Sequence, residues 1–387
     1  MSEADGAVEQ SETSGLSRRG LLTGAAIAGA AIAGTVAAVT GRTGRAPAAG
    51  ADRPVPAGGE QQAGIQRPAI PQQHCLLAVL DLDLDALQGS LSALGTRIAE
   101  VTAQPRGIPE LTPDGPADLT VTVGLGARAL VATAAPELAT LVELPDFAGD
   151  AELPPERRGG ELLLSVNASD PTVLEPVLSS LLAALSGPRL RWTEFGYRGP
   201  AVDGVSRNPF GYFDGIIRPQ TEQEFRDDVW IADGPLAGGT VCVVRRFHLG
   251  VDEFRALAPA DRDAVIGRAQ STGAPLSGGS RDDQIDLDAK RADGSLLIPL
   301  HAHARAAHPS FTGSPLMLRR SYSYRASDDD RGHLFISYQN DVATFTRTQL
   351  RLDEVDDLMR YSSPTATAAF AILPGVLPDR PLGATLF

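Results

Sequence analysis

Lysine is almost missing from this chain: Lys290 is the single lysine among 34 basic residues in a total of 387. Arginine replaces it throughout, which reads as compositional bias before anything functional. Cysteine is nearly as scarce, at Cys75 and Cys242. Two thiols cannot build a disulfide framework, an all-cysteine zinc site or a C-x-x-C-H attachment motif. Both read as small buried residues on strands. The chain has no series of long apolar runs, which excludes a polytopic membrane protein. It lacks a basic excess: 34 basic and 48 acidic residues leave a net charge of −14. A nucleic-acid binder would show the opposite sign or a basic patch. The balance favours solubility and small or cationic partners. No G-x-S-x-G elbow, H-E-x-x-H pair or Walker loop is present, so hydrolase and NTPase chemistry have no support.

What is there suits globular folding. The composition is 43% hydrophobic and 21% charged, too apolar for disorder and long enough for one large domain or two ordinary ones. Residues 1–16 are polar and acidic. Ser17-Arg18-Arg19-Gly20-Leu21-Leu22 follows, then an Ala- and Gly-rich apolar stretch to about Val39. Adjacent arginines ahead of a moderately apolar stretch are the mark of a twin-arginine export signal. A membrane-spanning helix is the competing reading, since ~20 residues can cross a bilayer. The high Gly and Ala content and the arginine pair favour the signal, with cleavage expected near Ala46-Pro47-Ala48. Residues 1–48 hold four acids and four arginines, so the processed chain keeps its charge of −14. The expected destination is extracellular, periplasmic or envelope-associated, with no stable membrane span after processing. This route carries folded proteins, which raises the expectation of a bound cofactor.

Residues 49–73 are rich in Pro, Gly, Ala and Gln and read as a linker or extended arm. From His74 the hydrophobic period predicts a strand over 75–80, a helix over 84–101, strands over 119–123 and 161–166, a helix over 171–185 and a strand over 190–195. That order is βαββαβ. The second half repeats it with longer insertions. A strand is predicted over 240–248, one or two short helices within 251–270, and a polar excursion over 271–300. Strands over 317–324 and 333–339, a helix within 341–360 and a last strand over 368–373 complete it. The expected fold class is α+β: two ferredoxin-like βαββαβ units with antiparallel sheets, like a dimeric α+β barrel. The expected domains are 74–205 and 206–387.

Gly124-Leu125-Gly126-Ala127-Arg128-Ala129 resembles a dinucleotide fingerprint. It lies mid-domain with no parallel βαβ series after it, and reads as a strand-to-helix turn. Of the six histidines (His74, His248, His301, His303, His308 and His333), three fall within 301–308. The cluster suits a polar loop, a small metal site on His301 and His303, or one axial haem ligand. Clustering alone leaves these open. Two further segments matter: Gly211-Tyr212-Phe213-Asp214-Gly215, and Leu318-Arg319-Arg320-Ser321-Tyr322-Ser323-Tyr324, an arginine pair entering a strand. An acid, an arginine and a histidine ligand are the parts needed to cleave peroxide on haem iron.

The 211–215 segment resembles the G-x-x-D-G motif of dye-decolorizing peroxidases. Residues 302–309 resemble that family's proximal histidine segment, and residues 317–324 its distal arginine strand. Leu334-Phe335-Ile336-Ser337-Tyr338-Gln339-Asn340-Asp341 and Leu373-Pro374-Gly375 resemble its C-terminal part. The resemblance runs in order from about residue 70 to the end, and the export signal fits the exported bacterial, deferrochelatase-like branch. It implies one haem b per chain, held by His303 on the iron and lined by Gly215, Ile216, Ile217, His308, Pro309 and Arg319. Ala304 and His308 depart from the family's usual larger aliphatic residue and asparagine, which leaves His308 as a rival to His303.

The resemblance also implies roles. Asp214 would move the peroxide proton and Arg319 would stabilise the developing negative charge, with a ferryl intermediate then oxidising dyes, phenolics or other one-electron donors. Strand alternation allows only one of Arg319 and Arg320 to face the haem, and motif position favours Arg319. Asp341 is the expected acceptor for the second nitrogen of His303. Trp192, Trp230, Tyr322 and Tyr338 are candidates to relay electrons to bulky donors. The expected partners are hydrogen peroxide and a small reducing substrate, with no nucleic acid, and an oligomer is compatible with the sequence. Two rival functions stand beside the peroxidase: a cell-envelope haem- or iron-handling protein with incidental peroxidase activity, and a copper or zinc module.

Overall fold

The computed structural model describes residues 54–387. The expected twin-arginine segment, and residues 49–53 of the expected arm, lie outside the described residues. The first half contains β1 (His74–Asp81), β2 (Thr120–Leu125), β3 (Leu162–Ala168) and β4 (Arg189–Tyr197), with helices Leu87–Val101 and Leu174–Leu182 between them. Next come two short strands, β5 (Ser206–Arg207) and β6 (Phe213–Asp214), which pair with each other. The second half contains β7 (Thr240–Leu249), β8 (Leu318–Arg319), β9 (Tyr322–Arg325), β10 (Arg331–Gln339) and β11 (Ser362–Ile372), with the helix Val342–Val355 before the last strand.

Strand order in the first half is β2-β3-β1-β4, and in the second β11-β7-β10-β9. These are the same order, so the two halves are the two expected ferredoxin-like units. The halves join where β11 meets β2 and where β4 meets β9, and every named strand pair is antiparallel. Because β7 also pairs with β10, the strands close into a ring of eight. The joints are unequal. β7 and β10 stay in register from Gly332↔His248 to Gln339↔Val241. β11 meets β2 only at Ala371↔Leu125 and Ile372↔Gly124, and β4 meets β9 only at Tyr197↔Ser323.

Alternation along the strands divides the apolar residues into two sets. Cys75, Leu77 and Val79 of β1 point inward with Cys242 and Val244 of β7 and Leu334, Ile336 and Tyr338 of β10. Both cysteines are free and buried. Burial pushes the Cys75 thiol up to about 12, which keeps it protonated and unreactive. Leu76, Ala78 and Leu80 point outward, under the helix Leu87–Val101, which presents Leu87, Leu91, Leu94, Ile98 and Val101 to them. That spacing of three and four residues is the helical stripe seen in the sequence.

Residues 54–73 form no helix or strand and lie on the sheet. Ile65 is fully buried, and Gln62 Nε2 donates to the carbonyls of Val123 (2.9 Å) and Leu373 (2.8 Å). This one side chain therefore bridges the β2–β11 joint. The glycine-rich turn after β2 leads into a short helix, Ala127–Val131. A Cβ on Gly126 would lie 1.9 Å from the Gly160 carbonyl oxygen, so close backbone packing explains the glycine.

Candidate active site

The helices that cover the outer face of the first half have only a partial counterpart in the second. Residues 250–316 are inserted there, and a cavity lies between the outer face of the sheet, this insertion and the 208–217 loop. On β7, the residues opposite Val244 and Arg246 are Arg245, Phe247 and Leu249, and the last two line the cavity. Register sets His333 of β10 opposite Phe247, and Ser337 opposite Arg319 of β8. His333, Phe335 and Arg319 therefore share the cavity face. Arg320 points the other way: it is buried, and its Nη2 donates to the Pro68 carbonyl at 2.6 Å.

Asp214, Gly215, Ile216, Ile217, His303, His308, Pro309 and Arg319 all line this one cavity. The sequence spreads them over more than a hundred residues; the fold brings them together. Gly215 adopts φ +78°, a left-handed conformation that turns the chain after Asp214 and that glycine enters without strain. Arg218 Nη1 donates to the Gly215 carbonyl at 2.6 Å and fixes the turn. The Arg319 Nη2 donates to the Ile217 carbonyl at 3.2 Å, and its Nε lies 3.7 Å from Asp214 Oδ1. Burial pushes the Asp214 carboxyl up. Arg319, His333, Arg198 and His303 together more than offset this, so its pKa falls below the ordinary carboxylate value.

His303 opens the short helix His303–Ala306. Its Nδ1 lies 2.6 Å from Asp356 Oδ2, and the Asp356 side chain is fully buried. The second Asp356 oxygen accepts from the Leu358 backbone N–H at 2.9 Å, which holds the carboxylate in place. Burial lowers the basicity of the imidazole, while the charge and hydrogen bond of Asp356 raise it further than burial lowers it. With Nδ1–H donated to Asp356, the Nε2 lone pair is free on the cavity wall. His308 is arranged the other way round. Its Nδ1 accepts from the Ser310 backbone N–H at 3.2 Å, capping the helix Pro309–Thr312, so in the neutral ring the proton is on Nε2.

The expected partner of His303, Asp341, is not near it. Asp341 caps the start of the helix Val342–Val355, accepting from the Ala343 N–H at 2.8 Å, and Asp356 caps the end. Fourteen helical residues separate the two by roughly 20 Å. A hydrophobic pattern cannot distinguish an acid at one end of a helix from an acid at the other, so Asp356 was missed. His333 was missed as well, although the strand alternation that selects Arg319 would also have found it. The four relay candidates are all buried in the barrel interior, on the opposite side of the sheet from the cavity. His301 Nδ1 is bonded to the Val355 carbonyl at 2.9 Å. Among the described residues no group of three or more His, Cys, Asp or Glu could hold a metal ion.

The site suits a haem. Its walls are mostly aliphatic and aromatic, including Ile217, Phe247, Phe335 and Leu358, as a flat apolar macrocycle requires. The free lone pair of His303 has a carboxylate behind it, the usual support for a metal-bound imidazole.

Residues 205–377 match the family model for the C-terminal part of Dyp-type peroxidases. The chain belongs to the Dyp-type peroxidase family; it is a haem-binding enzyme that acts on peroxide. It is 38% identical over 293 residues to a dye-decolorizing peroxidase of Thermobifida fusca (strain YX), covering 70% of this chain and 68% of that protein. It is also 29% identical over 367 residues to a deferrochelatase of Escherichia coli (strain K12), covering 82% and 83% of the two chains. The DyP-type peroxidase structure from Cellulomonas bogoriensis superposes with a TM-score of 0.77 at 34% identity, over 87% of this chain and 98% of that one. DtpA from Streptomyces lividans superposes with a TM-score of 0.81 at 28% identity, over 89% and 100%.

Proposed function

We propose that the cavity holds haem b through His303 and that Asp214 and Arg319 act on hydrogen peroxide beside it. The observation that carries this is the His303–Asp356 pair, with Nε2 left free in the cavity that also holds the Asp214–Arg319 pair. Bound there, haem supplies the redox equivalents that reduce peroxide and recovers them one electron at a time from a small donor such as a dye or phenol. Asp356 fixes the tautomer of His303 and raises the basicity of the nitrogen facing the cavity. Asp214, ionised because its pKa is depressed, takes the proton from the near oxygen of peroxide and gives it to the far one. The Arg319 guanidinium stabilises the negative charge that develops on the departing oxygen. Gly215, Ile216, Ile217, His308 and Pro309 supply walls for the macrocycle. The proposed location is outside the cytoplasm, reached through the Arg18-Arg19 signal.

The test is to offer hemin to the purified chain and follow the Soret band, then add peroxide and a phenolic donor. A Soret band that changes on peroxide addition and returns as the donor is consumed is the expected result. A chain that stays colourless with hemin overturns the reading. The relatives named deferrochelatase favour one second reading, haem or iron handling with incidental peroxidase activity. Iron released from haem with the porphyrin left whole, and no turnover of donor, would select it.

A further inference from the structure

We propose that His333 is a second proton-handling residue of the peroxide site and that it works as a pair with Asp214. This rests on the haem peroxidase reading above. His333 reaches the cavity from β10, beside Phe335 on the same strand face. Its Nε2 lies 3.6 Å from Asp214 Oδ2, and its Nδ1 is buried with no hydrogen-bond partner among the described residues. A strand position facing an apolar cavity is most easily filled by a hydrocarbon, as Phe335 shows. An imidazole placed there with one nitrogen unpaired costs desolvation that no hydrogen bond returns. The other nitrogen of the ring faces the Asp214 carboxylate.

The charged groups that act on His333 are Asp214 from the 208–217 loop, Arg198 just after β4, Arg319 from β8 and His303 from its helix. Burial pushes the imidazole down, Asp214 pulls it up, and Arg198, Arg319 and His303 push it further down, leaving it below its ordinary value and neutral at pH 7. Asp214 is displaced in the same direction. An imidazole is intrinsically a stronger base than a carboxylate, and Nε2 is the nitrogen that faces the carboxylate at 3.6 Å, so we assign the arriving proton to His333 Nε2. The step is a proton transfer only. Hydrogen peroxide loses the proton on its near oxygen, Asp214 relays it, and Nε2 gains it, forming an imidazolium beside a carboxylate. The same proton is then available to the far oxygen, which can leave as water because the haem would supply the two electrons that break the O–O bond. No electron moves between these residues.

The experiment uses the hemin-loaded wild type with H333L and H333Q. Two readouts are taken against pH: the rate of the peroxide-induced Soret change, and the Kd of cyanide from its Soret shift. Hydrogen cyanide binds as the anion and must leave its proton on a base in the pocket. The wild-type rate should rise with pH through the titration of an imidazole. In both variants that limb should vanish, and at pH 7 the rate should fall and the cyanide Kd should rise by about 10–100-fold, the lower part of the general-base range. A third readout needs no variant: in the cyanide complex of the 15N-histidine-labelled wild type, His333 should give an imidazolium signal. Variants within about twofold of wild type in rate and Kd, or a His333 that stays neutral in the complex, overturn the proposal. If the wild type takes up no hemin, the haem reading itself fails. If the wild type reacts with peroxide and the variants match it, only the role of His333 falls. Should a variant lose hemin, the wild-type signal decides.

Discussion

The two halves of the barrel share a strand order and differ in what lies on their outer faces. In the first half, Leu76, Ala78 and Leu80 of β1 and Leu162, Leu164 and Val166 of β3 meet a tight cover of Leu- and Val-bearing helices. In the second, the matching face carries Arg319, His333 and Phe335 and borders a cavity. The difference comes from insertion, not from the sheet. Residues 250–316 separate β7 from β8, and within them the His303 helix and the polar excursion occupy space that one close-packed helix fills in the first half. A duplicated unit thus keeps one copy as a core and opens the other as a site. Outward strand positions show which copy is which: hydrocarbon under a helix, ionisable groups beside a cavity.

That contrast can be broken in four graded ways. The largest effect is expected from His303→Ala, which should abolish hemin retention while leaving the cooperative unfolding of the barrel in place. The measurement is Soret absorbance per chain beside a thermal melt, and full occupancy would mean that another residue holds the iron. Next comes Asp214→Asn, which should slow the peroxide reaction by about 10²–10⁴-fold. Asp214 has a depressed pKa, so its ionised form persists to a pH below the ordinary carboxylate value. Its contribution to both reaction and stability is present above the unfolded-state pKa and is lost only as pH falls through the lower folded value. Stopped-flow rates of H333L, which lacks the imidazole limb, check the sign from acid to neutral pH, and a profile in that variant already collapsed near pH 5 would contradict it.

Asp356→Asn should weaken hemin binding by roughly 10–100-fold, as removing the partner of a metal-bound histidine does; competition with a hemin-binding protein of known affinity reads it out. The smallest effect is expected from Asp341→Ala. It removes a helix cap, costs about 1 kcal/mol of stability, and should leave hemin affinity alone. Equal losses of affinity for the two aspartate variants would erase the distinction between the cap at the start of the helix and the ligand partner at its end.

Much of this is legible in the sequence. The period-2 and period-3.6 patterns placed the strands and helices of both halves, because apolar spacing records which face each element buries. The segment over 317–324 was expected as one strand, but it is interrupted at Arg320 and Ser321 between β8 and β9. There Arg320 turns to the Pro68 carbonyl, a contact made across 252 residues that local pattern cannot contain. The motifs single out Asp214, His303 and Arg319, which the fold gathers into one candidate site. His333 and Asp356 belong to it by register and by helix length, quantities set only when the chain closes on itself.

The ring of strands also has consequences for how the molecule comes apart. Each half is laced internally by long ladders, yet the halves meet through two residue pairs at one seam and a single pair at the other. The first seam is stitched by Gln62, a residue ahead of the whole barrel in sequence. A chain built this way parts along its seams before it parts within its halves, so solvent reaches the amides around Ser323 and Ala371 while the inner ladders are still closed. Trimming the segment before His74 would cut the stitch, and a site that depends on one half staying shut would then rest on hinges instead of a hoop.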